Sequence, residues 1–247
     1  MITLAALAVL AVAGVVSAVA ARWAFARYSD QAKVRAAKRQ IKASLYELRL
    51  FVDEPAVLLR AQRRLVTSNL RYLALMLRPL LIIAGPMFLL MTVLDSLYGY
   101  GPITQGASAV VTVKVQPSVD LGTTPPAIET SQGIAVETPV VRIPGEYRFC
   151  WRIRATGAGS ERLKVLLNGA VYEKSVRAGG EFTIVSRRRV RSIFAWMLNP
   201  TESRLPPGAI ERIEVAYPAA WLTVFGLTLH WTLWFTLAAV GAAIWLR

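Results

Sequence analysis

Residues 2–21, ITLAALAVLAVAGVVSAVAA, run for twenty positions without a charged side chain. As a helix rising 1.5 Å per residue, such a run reaches about 30 Å, the thickness of a bilayer's hydrocarbon core. The rival reading is a cleaved signal peptide, because Ala18-Val19-Ala20 resembles a small-residue cleavage site. A signal peptide carries positive charge ahead of its apolar run, and Met1-Ile2-Thr3 carries none, so a retained span is expected. The cations follow the run instead, at Arg22, Arg27, Lys33, Arg35, Lys38, Arg39 and Lys42. The positive-inside rule then sets the N-terminus outside and residue 22 onward in the cytoplasm.

A formal charge of +14 on a chain that is 55% apolar would suit a nucleic-acid binder or a membrane protein. Its distribution decides. Residues 22–78 hold 13 Lys/Arg against 4 Asp/Glu, and residues 98–218 hold 15 against 10. The excess is densest beside apolar segments, where it acts as a topology signal. A disulfide-stapled scaffold is excluded, since Cys150 is the single cysteine.

A second apolar stretch, Leu73–Leu97, follows Arg60, Arg63, Arg64, Arg71 and Arg78 and ends at the aromatic Tyr98-Gly99-Tyr100-Gly101. Pro79 and Pro86 lie inside it, which a membrane helix tolerates. A third runs from about Trp221 to Leu246. The expected fold is an α-helical membrane protein with three transmembrane helices, 1–22, 73–97 and 219–247, with the C-terminus inside. A basic cytoplasmic helical hairpin fills 23–72, turning at 53–55 with Asp53 as N-cap, and Ile41, Leu45, Leu48 and Val52 mark its apolar seam. Two roles are open to its cations Arg35, Lys38, Arg39, Lys42, Arg60, Arg63 and Arg64: contact with anionic headgroups, or docking of another protein or the ribosome.

Between spans two and three, residues 98–218 alternate polar and apolar, with turn residues between short runs. Strands are expected over 109–115, 147–154, 163–167, 171–176, 182–185 and 210–217. Asn168-Gly169 is the strongest hairpin signal. The pattern suggests an extracytoplasmic β-sandwich of immunoglobulin type, with Cys150 as a buried core thiol and Arg187, Arg188, Arg189 and Arg191 as a solvated patch.

Reactive groups are few. His230 is the single histidine, and no phosphate-binding, zinc-binding or nucleophile-elbow motif occurs. No enzyme, cofactor, metal or small-molecule substrate is expected. Polar residues inside the spans matter more, since each is costly in lipid. These are Arg78, Asp95, His230 and a stripe of Thr228, Thr232 and Thr236. The threonines and Arg78 could serve helix packing and snorkelling, or line a partly polar groove open to the cytoplasm.

Residues 41–91 carry a charged helix, an acidic-proline turn at Asp53-Glu54-Pro55, a second helix, and a span containing Pro79, Pro86-Met87 and Phe88. This segment, together with the three-span topology, resembles the Oxa/YidC membrane insertase superfamily. The resemblance implies assistance to membrane-protein insertion through a hydrophilic groove bearing a positive charge, commonly on the first span. Here that charge would fall to Arg78, or to Arg22 at the inner edge. The expected partners are an anionic bilayer and other membrane proteins, as clients or complex subunits, with no nucleic acid other than ribosomal RNA. The expected location is the inner membrane of a prokaryote. The alternative reading is a structural subunit that binds partners through its outer domain and its hairpin.

Overall fold

A computed structural model describes residues 2–50, 55–117, 125–180, 182–224 and 226–246. Three helices come first: α1 (Ile2–Tyr28), α2 (Gln31–Leu50) and α3 (Pro55–Tyr98). Nine strands follow: β1 (Ser108–Val115), β2 (Ala127–Thr130), β3 (Ile134–Val136), β4 (Val141–Ile143), β5 (Arg148–Ala155), β6 (Gly159–Leu167), β7 (Ala170–Ala178), β8 (Arg188–Val190) and β9 (Ile210–Val215). A six-residue helix α4 (Ile193–Leu198) separates β8 from β9. The chain closes with β10 (Leu222–Val224), β11 (Leu227–Leu229) and α5 (Trp231–Trp245). It divides into two compact units, Met1–Ala11 with Leu89–Thr236, and Val12–Phe88 with Leu237–Arg247.

In the first unit, one sheet runs β3-β5-β1-β9-β8 with β4 also on β5, and a second runs β2-β6-β7. Alternation along each strand sends Val111, Val113, Phe149, Trp151, Ile153 and Ile213 from the larger sheet into the same core as Leu163, Val165, Tyr172 and Val176 from the smaller. Two antiparallel layers therefore share one core. The strand order is not that of an immunoglobulin domain, in which the outer strands form ABED and CFG sheets, so that part of the expectation is corrected. The β6–β7 hairpin turns at Asn168-Gly169, both with positive φ (49° and 75°), as a two-residue turn of the I′ kind requires.

Two further expectations change. No strand forms over 182–185, and the next residue, Ser186, gives its carbonyl to a buried lysine. Cys150 is only half-buried. Phe149 and Trp151 occupy the core face of β5, so strand parity turns Cys150 to the opposite face, 3.7 Å from the Thr112 hydroxyl. The arginine patch is bound internally: the Arg187 guanidinium lies 4.5 Å over the Tyr100 ring, and Arg187 and Arg188 pair with Glu214 at 3.0 and 2.9 Å.

In the second unit, α2 and α3 form an antiparallel hairpin. Lys38 meets Tyr72 while Glu47 meets Arg64 (3.7 Å), so the partner number falls as the α2 number rises. The turn residues Asp53 and Glu54 lie outside the described residues. The seam is only partly the expected one: Ile41 and Leu48 are half-buried on it, and Val52 lies outside the described residues. Val34, Ala37 and Ser44 of α2 and Ala61 of α3 are buried, whereas Leu45 is exposed. Small side chains at 37, 44 and 61 let the backbones close, which moves the contact stripe onto them. α3 is one unbroken helix of 44 residues through Pro79 and Pro86, so the hairpin arm and the second apolar stretch are a single rod.

Two helices, α1 and α3, are long and apolar enough to cross a membrane, and only 17% and 6% of their most apolar windows are buried. A core helix of a soluble protein would be covered. The third apolar stretch differs from expectation: Trp221–Leu229 is not helical, and α5 begins only at Trp231. The segment reads Leu-Thr-Val-Phe-Gly-Leu-Thr-Leu, mirrored about Phe225-Gly226, and Gly226 (φ 77°) supplies the left-handed turn residue. The β-pattern wins over helical continuation there.

Candidate functional site

The helical unit contains a cavity of about 710 Å³ between three helices, with Gln31 at the start of α2 also on its wall. α1 contributes Ser17, Ala18, Ala21, Arg22 and Phe25, α3 contributes Ile83 and Met87, and α5 contributes Ala239, Val240 and Ala243. Its size follows from the sequence. Five of these ten side chains end at a methyl or a hydroxymethyl group, so the helices cannot fill the space between them. The Ser17 hydroxyl is spent on the Ala13 carbonyl, 2.7 Å away, which keeps it from adding polarity.

One cation lines this cavity, Arg22. Its Nη1 donates to the carbonyl of Leu246 at the end of α5, where helix carbonyls lack intrahelical partners and the dipole is negative. Arg78, the other residue considered for this role, is exposed on α3 and is not among the lining residues.

The remaining polar residues of the apolar stretches do not assemble. Thr228 lies on β11 and shares a 2.8 Å hydrogen bond with Thr223. Thr232 and Thr236 are both on α5, where the Thr236 hydroxyl donates to the Thr232 carbonyl, 2.7 Å away. The stripe of three is therefore corrected to a pair, because the hairpin removes residue 228 from the helix. His230 precedes α5, with Nδ1 2.9 Å from the Thr232 hydroxyl and its ring between Trp221 and Trp231. Asp95 sits in the last turn of α3, its carbonyl accepting from the Gly99 amide, and its carboxylate would clash with any Cβ at 99.

The seven expected docking cations are brought together. Arg35, Lys38, Arg39 and Lys42 line a cleft of about 470 Å³ along α2. Arg60, Arg63 and Arg64 line a second of about 320 Å³ with Gln40, Thr67 and Ser68. Spacings of three and four residues put each set on one helix face, and the antiparallel fold adds Gln40 of α2 to the second. Within this cluster the described acid partner is Glu47, on Arg64, so both clefts are strongly positive.

The β-domain holds a site that alternation could have disclosed. Tyr172, Lys174 and Val176 share one face of β7, and that face is the core. Lys174 is 0% exposed. Its Nζ donates to Glu202 (2.6 Å), the Ser186 carbonyl (2.6 Å) and the Ser186 hydroxyl (2.8 Å). Glu202 also accepts from the Ser175 amide (3.0 Å) and the Ser186 hydroxyl (2.7 Å). Burial lowers the lysine to about 8 against the opposing pull of Glu202. Burial pushes Glu202 upward, but the lysine's charge and the donated hydrogen bonds outweigh it and hold the carboxyl below its usual range. The Lys174 ammonium and the Glu202 carboxylate are both engaged, so the arrangement fastens the fold. Among the described residues, no group of three metal-ligating side chains forms. The chain matches no family model, no curated protein and no solved structure, so the residues themselves carry the functional reading.

Proposed function

We propose that this chain is an integral membrane protein of insertase-like layout that assists insertion or assembly of other membrane proteins without covalent chemistry. On this reading α1, α3 and α5 cross the inner membrane of a prokaryote, the N-terminus and the β-domain lie outside, and the α2–α3 hairpin is cytoplasmic. The observation that carries it is the cavity between the three helices, lined mostly by apolar side chains, with one cation, Arg22 of α1, and Gln31 of α2 on its wall. Such a cavity receives an apolar client segment, while Arg22 lowers the cost of holding a polar or acidic flank within the hydrocarbon. Arg22 takes the role that the family resemblance left between it and Arg78.

The test is insertion of small membrane proteins into proteoliposomes containing the full chain, with photo-crosslinkers at Ile83 and Ala243. Crosslinks to the inserting client and reduced insertion by Arg22→Ala are expected. Insertion unchanged on depletion of the protein from cells overturns the proposal and favours the second reading, a scaffold subunit. That reading draws on the two basic clefts of the helical unit and, separately, on an exposed apolar helix of the β-domain, α4, with Ile193, Phe194 and Met197 uncovered.

A further inference from the structure

The β10–β11 hairpin is apolar apart from one threonine on each strand, and it joins neither sheet of the β-domain. An isolated two-stranded hairpin is marginal in water; the protein itself buries Leu222, and the exposed remainder of this hairpin calls for cover. Several features identify that cover as lipid. From Pro218 to Leu246 no Asp, Glu, Lys or Arg occurs. The two polar side chains of the strands, Thr223 and Thr228, stand opposite each other and satisfy one another at 2.8 Å. Leu227 and Trp221 are 58% and 60% exposed. The hairpin is anchored to α5, since the Trp234 indole donates to the Leu222 carbonyl at 3.4 Å.

The outer edges of a two-stranded sheet leave backbone groups unpaired, which hydrocarbon does not tolerate but the interfacial layer does. Trp221, His230 and Trp231, with ring centroids 6.1 and 5.8 Å apart, form the kind of aromatic group that settles at that depth.

We infer that the β10–β11 hairpin is a lipid-binding element lying in the interfacial layer of the outer leaflet, at the outer end of α5. The inference rests on the reading that α5 crosses the bilayer, and its test separates the two. The full chain, with Cys150→Ser as background, is reconstituted in phosphatidylcholine–phosphatidylglycerol vesicles. A polarity-sensitive fluorophore is attached at Leu227→Cys, at Leu237→Cys on α5, or at Lys164→Cys on β6. Quenching is read from lipids bearing nitroxides near the headgroup or near the midplane, and from aqueous iodide.

The label at 227 is expected to blue-shift and to lose more emission to shallow than to deep nitroxides. The label at 237 should favour deep ones, and the label at 164 iodide. If 237 is quenched by lipid while 227 responds to iodide alone, the hairpin proposal falls and the span stands. If neither is quenched by lipid, both fall. A label at 227 shielded from lipid and iodide alike means a protein covers the hairpin, which also overturns the proposal. Trp221→Cys provides a second site, expected to repeat the shallow pattern.

Discussion

The β-domain and the helical unit use the same residue types in opposite ways. Val111, Ile153 and Ile213 are fully buried in the first, while Val12, Leu81 and Val240 of the second are mostly exposed. The β-domain also hides a charge, Lys174, that the helical unit would leave at its surface. Burial of apolar area drives a fold only when the alternative is water. Uncovered apolar helices beside sealed strands are what the proposed membrane reading requires, with a different solvent for each region.

The contrast can be broken most forcefully at the buried ion pair. Glu202→Gln leaves Lys174 without its counter-charge in the core and should cost about 3–5 kcal/mol of β-domain stability. Lys174→Met with Glu202→Leu should recover most of that loss, because desolvation nearly cancels the attraction in a buried pair. Chemical denaturation of the full chain in detergent, followed by near-ultraviolet dichroism, measures both. The same site sets a pH response. The unfolded carboxyl takes up a proton near 4.5 while the folded one resists it, so the unfolded state binds more protons and stability falls as pH drops through that value. Glu202→Gln should flatten this acid limb.

Next in size is a matched pair of truncations. Ile213→Ala should destabilise the β-domain by about 2–5 kcal/mol through lost transfer energy and a cavity. Leu81→Ala, on an uncovered helix face, should change the detergent melting temperature little. Equal losses at the two sites would erase the comparison. Arg22→Ala should cost about 0.5–1.5 kcal/mol, the worth of one hydrogen bond at the end of α5, measured by thermal unfolding. A small stability loss joined to a large insertion defect would separate its chemical role from its capping role. Smallest is Glu47→Gln. Its exposed 3.7 Å pair with Arg64 is worth about 0.2–1 kcal/mol, which a double-mutant cycle would resolve.

Legibility in the sequence followed the range of the interaction. The Asn168-Gly169 hairpin was readable because a two-residue turn is a local preference. The length and apolarity of α1 and α3 were readable because they are sums over neighbours. The seven hairpin cations could be grouped because helical period is local. Cys150 was assigned to the core although its neighbours Phe149 and Trp151 already claimed that face, so parity alone would have corrected it. The β10–β11 hairpin hid inside an apolar run that suits helix and strand alike, and only the mirrored Leu-Thr-Val and Leu-Thr-Leu about Phe225-Gly226 marked it.

By itself the sequence determined where apolar length and positive charge lie, and hence which segments are long and apolar enough to cross a membrane. Tertiary structure alone decided that Arg22, and not Arg78, borders the cavity, and that Lys174 finds Glu202. Arg22 meets Leu246 across 224 positions and Lys174 meets Glu202 across 28. Partners so far apart in the chain are chosen by helix packing and strand register, which no local pattern encodes.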